Sequence, residues 1–262
     1  MRRRTVLRLG GSVFAATAIA GCGSELGDET TPEPEEPPDG IDDEGEIDLQ
    51  TLLNTTEETL NAESYHFDFD RSQSSTEDET VLDSELISLR FDREQEAATF
   101  INELGGSEVD DGRLDAYYTP EEGLSRFDES GEIRYEPTPQ TYEELDPLAV
   151  DTVLIEFQQF AGIIDFAPVE WDGEAGEYVT TVDGFLEEAG ETAIENIDGE
   201  LRISADGVLL GFVLSGENEQ QPETLDVELS ISEIGSAAVE EPEWLPEARE
   251  ALDGAGDSGD DS

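Results

Sequence analysis

The apolar residues of this chain change period several times along its length. From Leu49 they recur as Leu49, Leu52, Leu53, Thr56 and Leu60, the spacing of one helix face, with Asp48 placed to cap the first turn. After Asn61 the period drops to two. Tyr65, Phe67 and Phe69 alternate with His66, Asp68 and Asp70, which predicts a strand with one apolar and one wet face. Further short strands are expected at Ile87–Phe91, Ala97–Ile101, Arg113–Tyr118, Leu124–Asp128 and Glu132–Tyr135. Gly105-Gly106, Asp111-Gly112, Glu122-Gly123 and Ser130-Gly131 punctuate them as turns. Residues Pro137 to Pro147 interrupt this meander, and a helical stripe follows at Val150, Val153, Leu154, Phe157, Phe160 and Ala161.

The strand pattern resumes near Pro168–Trp171 and Glu177–Val182. Phe185–Asn196 reads as a short helix or a mobile loop, with Gly190 weakening the helix. Glu200–Ser204 and Val208–Ser215 form a hairpin about Asp206-Gly207, and Leu225, Val227, Leu229 and Ile231 make the clearest alternation of all. Pro242 to Pro246 closes the fold, with Trp244 expected against the sheet. The order is helix, five or six strands, helix, then about five strands. Each strand has one apolar face and each helix one stripe, so the pattern predicts an α+β fold: a large curved antiparallel sheet with helices packed on its concave face. The domain is expected to span 47–249 as one unit, without an internal repeat.

Charge changes the picture of where such a chain can live. Of its 262 residues, 12 are basic and 69 acidic; every basic residue is Arg. Self-repulsion of this size opposes compaction in dilute buffer, and screening shortens to about 3 Å at 1 M salt. The expectation is a protein folded in molar salt. Nucleic acid is not an expected partner, nor are anionic headgroups.

The N-terminus reads as an address. Residues 1–21 carry Arg2, Arg3, Arg4 and Arg8 and no acid, then a mild apolar run from Leu9 to Ala20, too short for a good membrane span. Arg3 and Arg4 followed by Val6 and Leu7 resemble a twin-arginine export signal. Ile19-Ala20-Gly21-Cys22 looks like a lipobox, which makes Cys22 the expected lipidation point and the membrane the expected partner through that lipid. A product starting at Cys22 carries 8 Arg against 69 acids, a formal charge of −61. Residues 22–46 hold that Cys and an acidic Pro-rich stretch expected to be a disordered spacer; 250–262 is expected to be a disordered acidic tail. The predicted location is the outer face of the cell membrane. There, Asn54-Thr55-Thr56 makes Asn54 a candidate for glycosylation.

The lipobox, the acidic spacer, a first helix running into "NAESYHFDF", the two-block meander and the closing "EEPEWLP" together resemble a family of haloarchaeal lipoproteins of unknown function. Their architecture is similar to the LolA/LppX-like lipoprotein-carrier and lipid-binding fold. That resemblance covers Asp48 to about Arg249. It implies a half-open barrel plugged by helices, with a lipid or other apolar ligand held between sheet and helices. Tyr65, Phe67, Phe69, Ile87, Leu89, Phe91 and Tyr118, with Val153 and Phe157 from the second helix, are the candidate lining. The same residues also fit a filled core, which would leave a structural or interaction lipoprotein of the envelope without a ligand.

Conventional enzyme chemistry finds little support. One Cys excludes an internal disulfide, and one His leaves no metal-ligand set or cofactor motif. His66 should face solvent. A Ser-His-Asp triad around it lacks a Gly-x-Ser-x-Gly elbow. Asp42-Asp43-Glu44 and Asp172-Gly173-Glu174 lack the spacing of a calcium loop. No catalytic residue, metal or cofactor is assigned.

Overall fold

The period-two segments become the strands of one antiparallel sheet. The computed structural model describes residues 31–32, 34–107, 109, 111–186, 194–218 and 222–256. Helix α1 (Leu49–Ala62) leads into β1 (Tyr65–Ser75), β2 (Val81–Asp92), β3 (Ala97–Gly105), β4 (Gly112–Tyr118), β5 (Gly123–Glu129) and β6 (Glu132–Pro137). Helix α2 (Tyr142–Ala161) precedes β7 (Ile164–Phe166), β8 (Glu170–Asp172), β9 (Glu177–Phe185), β10 (Ile194–Ser204), β11 (Leu209–Asn218) and β12 (Glu223–Ser232). Helix α3 (Leu245–Gly256) ends the described chain. Two meanders join at the centre, where β1 pairs with β12, so the strand order is β6-β5-β4-β3-β2-β1-β12-β11-β10-β9-β7, with β8 on β9. The α+β class and the open curved antiparallel sheet are as the pattern predicts.

Register puts the alternating side chains on common rows. Phe67 stands opposite Leu89 and Ile231, and Phe69 opposite Ile87 and Leu229, so one face of the central strands is continuous apolar surface. Helices α1 and α2 cover it, burying Leu52, Leu53 and Leu60 from one and Val150, Val153, Phe157 and Ala161 from the other. Asp48 caps α1 as expected, its Oδ1 accepting from the Thr51 N–H at 3.2 Å.

Thr56 explains its own place in an apolar stripe. It is fully buried; its hydroxyl donates to the Leu52 carbonyl at 2.8 Å and accepts from the Leu209 N–H at 2.9 Å. That bond docks α1 on the start of β11. Thr56→Val would strand a buried N–H and is expected to cost about 1–3 kcal/mol, while Thr56→Ser keeps most of the stability; urea titration of both variants checks it.

The structure corrects several expectations. Part of the acidic spacer packs on the domain: Ile41 is buried and bridges to Ile47, and the Val169 N–H donates to the Gly45 carbonyl at 3.0 Å. Ile41 joins the core that contains Leu52 of α1, and the Asp48 N–H donates to the Gly40 carbonyl at 2.8 Å. Helix α2 starts at Tyr142, well before Val150. Thr141 opens it, its N–H donating to Glu144 Oε2 at 3.0 Å, and Pro147 is carried inside it because Tyr142 is anchored in the core, its ring 4.7 Å from that of Phe91. Phe185 ends β9, and Ile194 and Asn196 begin β10; residues 187–193 between them lie outside the described residues.

Helix α3 is a third element that the periodicity does not announce, and it runs past 249. It lies on the opposite face from α1 and α2. Leu245 and Ala248 pack on Ala97, Tyr117 and Leu124, the strand positions that alternate with the inner set, and Trp244 stacks near Tyr135 of β6. Arg249 fixes it through Glu122 and Glu241.

Among the described residues one buried side-chain polar atom has no partner. The Tyr65 hydroxyl is buried under the helices without a hydrogen bond, and burial pushes its pKa upward; burial likewise pushes Tyr142 up to about 12. A phenol raised in the folded state favours folding below its unfolded value near 10 and loses that contribution as pH climbs through the folded value. Stability is therefore expected to fall between about pH 10 and 12. Tyr65→Phe should raise stability at neutral pH by about 1 kcal/mol, since it removes an unsatisfied group, and should shallow the alkaline decline. Thermal melts across that range test both.

Candidate functional site: an apolar cleft under the second helix

The nine candidate lining residues divide into two groups. Tyr65, Phe67, Phe69, Phe91, Val153 and Phe157 are packed against one another with 2 % exposure or less, and form core. Tyr65 stacks on Phe91 at 5.8 Å, and Phe69 meets Phe160 of α2 at 6.1 Å. Ile87, Leu89 and Tyr118 instead line a cleft of about 220 Å³ between α2 and strands β2, β3 and β4. Phe100, Gln140, Leu145, Leu148, Ala149 and Thr152 complete it. Phe100 was accessible to sequence reasoning, since it shares the parity of Ala98 on β3. Leu145, Leu148 and Ala149 were hidden by Pro147, which reads as a break.

Helix α2 positions this cleft. Its inner stripe is held by the core, so Leu148 and Thr152 are carried to the flank that faces β3 and β4. Leu148 and Ile155, one heptad apart on α2, are 49 % and 51 % exposed, the highest values among large apolar side chains of the described residues. Of the two only Leu148 lines the cleft, giving it an exposed apolar edge. Thr152 donates its hydroxyl to the Leu148 carbonyl at 2.8 Å and keeps its lone pairs as acceptors. A larger hollow, about 510 Å³, lies between Gly45–Leu49 and Ala161–Phe166, but Glu46 and Asp165 sit in its wall and it adjoins Leu186, next to residues that are not described. The α2 cleft is smaller, uncharged and more apolar.

Charge begins one step beyond the cleft. Glu85 is two residues from Ile87 on the same face of β2, and Arg71 stands opposite it in register. Arg71 reaches Asp83 at 2.9 Å and Glu85 at 3.6 Å. Glu156, one turn after Thr152, has its pKa raised by burial and by the Glu85 carboxylate, against the pull of Arg71. Every described arginine faces at least one carboxylate within ion-pair distance.

His66 is on the outer face, as its parity requires, but it is tied into a polar ladder. Its Nε2 lies 3.2 Å from Asp68 Oδ1 and 3.1 Å from Ser88 Oγ, while Arg90 Nη2 donates to Nδ1 at 3.1 Å. A guanidinium only donates, so Nδ1 accepts and the ring proton sits on Nε2, directed at Asp68 and Ser88. This places Ser, His and Asp together without triad geometry, because the same nitrogen serves both and cannot take a proton from Ser88. Burial works to raise the Asp68 pKa, but hydrogen bonds from His66 and Ser88 outweigh it and hold it low. Arg90 in turn pairs with Glu233 at 3.1 Å.

The short acidic motifs serve turns. Asp42 Oδ1 accepts from the Glu44 and Glu46 N–H groups, and Asp172 Oδ1 from those of Glu174 and Ala175. Among the described residues no cluster of three or more His, Cys, Asp or Glu could hold a metal ion, and no helix is long and apolar enough to cross a membrane. Arg3, Arg4 and Cys22 lie outside the described residues.

Asn54 is exposed on α1, its Oδ1 accepting from Gln50 at 3.0 Å, but the Thr56 of its sequon is the buried, doubly bonded residue described above. Intact-mass measurement of the native protein is therefore expected to show no glycan at Asn54 unless modification precedes folding.

No protein-family model matches the chain, and no curated protein matches it in sequence. Solved structures offer distant likenesses. The crystal structure of LprF from Mycobacterium bovis is 9 % identical, with 74 % of this chain and 95 % of that one covered at a TM-score of 0.37. A DUF1329 family protein from Desulfovibrio piger is 8 % identical, covering 75 % and 96 %, with a TM-score of 0.24. A β-barrel-like protein of the DUF1849 domain of unknown function from Brucella abortus is 9 % identical, covering 65 % and 97 %, with a TM-score of 0.21. Likeness at this level carries no functional weight.

Proposed function

We infer that this chain is a lipoprotein, tethered through Cys22 to the outer face of the membrane, which holds an apolar molecule in the cleft between α2 and β2–β4. The observation that carries the binding reading is the cleft itself: about 220 Å³, open, and lined by Ile87, Leu89, Phe100, Tyr118, Leu145, Leu148 and Ala149 in a chain where 31 % of residues are charged. An uncharged concavity with an exposed apolar edge is costly to leave in water and is the usual form of a small-molecule site. Its volume exceeds that of a cavity that takes benzene and falls below that of a drug-sized pocket, so it fits part of a hydrocarbon chain or a single ring. The tether rests on the arginine-led leader and the small residues before Cys22.

Mass spectrometry of protein purified from its own membranes tests both halves. The expected product begins at a lipid-modified Cys22 and releases an apolar molecule on solvent extraction. A product that retains residues 1–21, or an unmodified Cys22, overturns the tether. A protein repeatedly free of extractable ligand, and unable to take up an apolar fluorophore, overturns the binding reading in favour of a filled structural module.

A further inference from the structure

We propose that the α2 cleft selects an amphiphile whose polar end is uncharged, such as an alcohol, an ether or a carbonyl, and turns away carboxylates. This rests on the cleft being a binding site. The lining carries no Asp, Glu, Arg or His; its polar groups are the Gln140 amide and the hydroxyls of Thr152 and Tyr118. The Thr152 hydroxyl hydrogen is spent on the Leu148 carbonyl, which leaves an acceptor for a ligand O–H. No hydrogen bond engages the Gln140 side-chain amide among the described residues, so it offers both a donor and an acceptor. A neutral head can pair with these two groups. A charged head would be drawn out of water with nothing of opposite sign in the lining.

The surroundings bias the choice further against anions. At one end of the cleft Glu85 stands near Glu156, which holds its proton more tightly than usual, first through burial and then through the Glu85 charge. Arg71, the basic group there, is committed to Asp83 and Glu85. Arg134, on β6, lies over the Phe127 ring at 5.3 Å and is shared between Glu129 at 3.4 Å and Glu136 at 3.6 Å. An anionic head would thus meet carboxylates before any unpaired cation. A cationic head would find its partners only by leaving the lining, where Arg71 competes for the same acids.

Three eight-carbon probes separate the possibilities: 1-octanol, octanoate and octylammonium, each displacing an apolar fluorophore from the full-length protein in molar salt. The salt suppresses long-range attraction and repulsion, so the lining decides. Octanol is expected to bind at least about tenfold more tightly than octanoate, and more tightly than octylammonium. Gln140→Leu with Thr152→Val should weaken octanol binding several-fold, by removing partners of its hydroxyl, while the apolar fluorophore still binds and the melting profile is kept. Octanoate or octylammonium binding as well as octanol would overturn the proposal and leave the cleft a site of another specificity. Octanol affinity unchanged by the double substitution would overturn the assigned residues. Failure of all three probes and of the fluorophore would overturn the cleft as a site.

Discussion

Arg93→Leu is expected to destabilise the protein by about 3–4 kcal/mol, the largest loss of any single substitution outside the apolar core. Arg93 sits just after β2, yet it finishes α1. Its Nε donates to the carbonyls of Leu60 and Glu63 at 3.1 and 3.0 Å, and Nη2 also reaches the Leu60 carbonyl. These are carbonyls that the end of a helix leaves without internal partners, and α1 has no basic residue of its own in its last turn. The other edge of the guanidinium forks onto Asp146 of α2, with two bonds of 2.8 Å. One planar cation therefore ties the end of α1, the β2–β3 turn and the first half of α2 together. It also lies 5.0 Å over the Phe91 ring. Its removal leaves the Asp146 carboxylate, 29 % exposed, without its charge partner, and uncaps a helix whose packing roofs the core. Arg93→Lys should recover less than half of the loss, because a point charge cannot serve both edges of the fork. Denaturant titration of Arg93→Leu, Asp146→Asn and the double variant tests this; the two losses should add to clearly more than the loss of the double. A change within about 0.5 kcal/mol for Arg93→Leu would sink the account.

Much of this fold was legible because local rules and tertiary packing agree. The alternation of Tyr65, Phe67 and Phe69, the Asp206-Gly207 turn with Gly207 at φ +82°, and the Asp48 cap all appear where the residues place them. Three kinds of information were not legible. The pairing of β1 with β12 joins segments some 150 residues apart, and periodicity carries no register between distant strands. Pro147 concealed the first half of α2, where the capping box and Tyr142 in the core outweigh one lost backbone bond. Helix α3 hides behind a face that reads as solvated: Tyr117 and Ala97 have outward parity, and only their packing on Leu245 and Ala248 shows that part of the outer face is also covered. The site was half legible for the same reason. Parity placed Ile87, Leu89 and Tyr118 on the correct surface. Whether a side chain there ends in core or cleft depends on the diagonal path of α2, which is a tertiary quantity; Phe67 and Leu89 face each other across β1 and β2, yet one is sealed and the other borders open space.

The second large effect is expected from salt alone. At about 0.1 M salt the protein should be largely unfolded or expanded, and at 1 M and above it should melt cooperatively as a compact species. The formal charge of −57 is not spread evenly. On the outer face Asp70 of β1 stands directly opposite Glu228 of β12, at the seam that joins the two meanders; on the opposite face Glu129 meets Glu132 across the β5–β6 hairpin. On the inner face Glu156 of α2 presses on Glu85 of β2, strongly enough to raise its pKa through burial and like charge. Like charges directly opposite in a sheet each cost on the order of 0.2–1 kcal/mol at low ionic strength, and the cost fades as the Debye length shrinks from about 10 Å to 3 Å. The seam is the consequential place, because among the described residues the two meanders have no other strand-to-strand join. Asp70→Asn is therefore expected to shift the salt requirement downward, with a stability gain that is largest near 0.1 M and disappears above 1 M. A matched substitution at an exposed acid outside the sheet, such as Asp43, should do much less. Circular dichroism and small-angle scattering across a salt series read both effects. A chain that is compact and cooperative at 0.1 M, or an Asp70→Asn gain that does not depend on salt, would show that the carboxylates are carried without electrostatic strain and that hydration rather than screening sets its tolerance of brine.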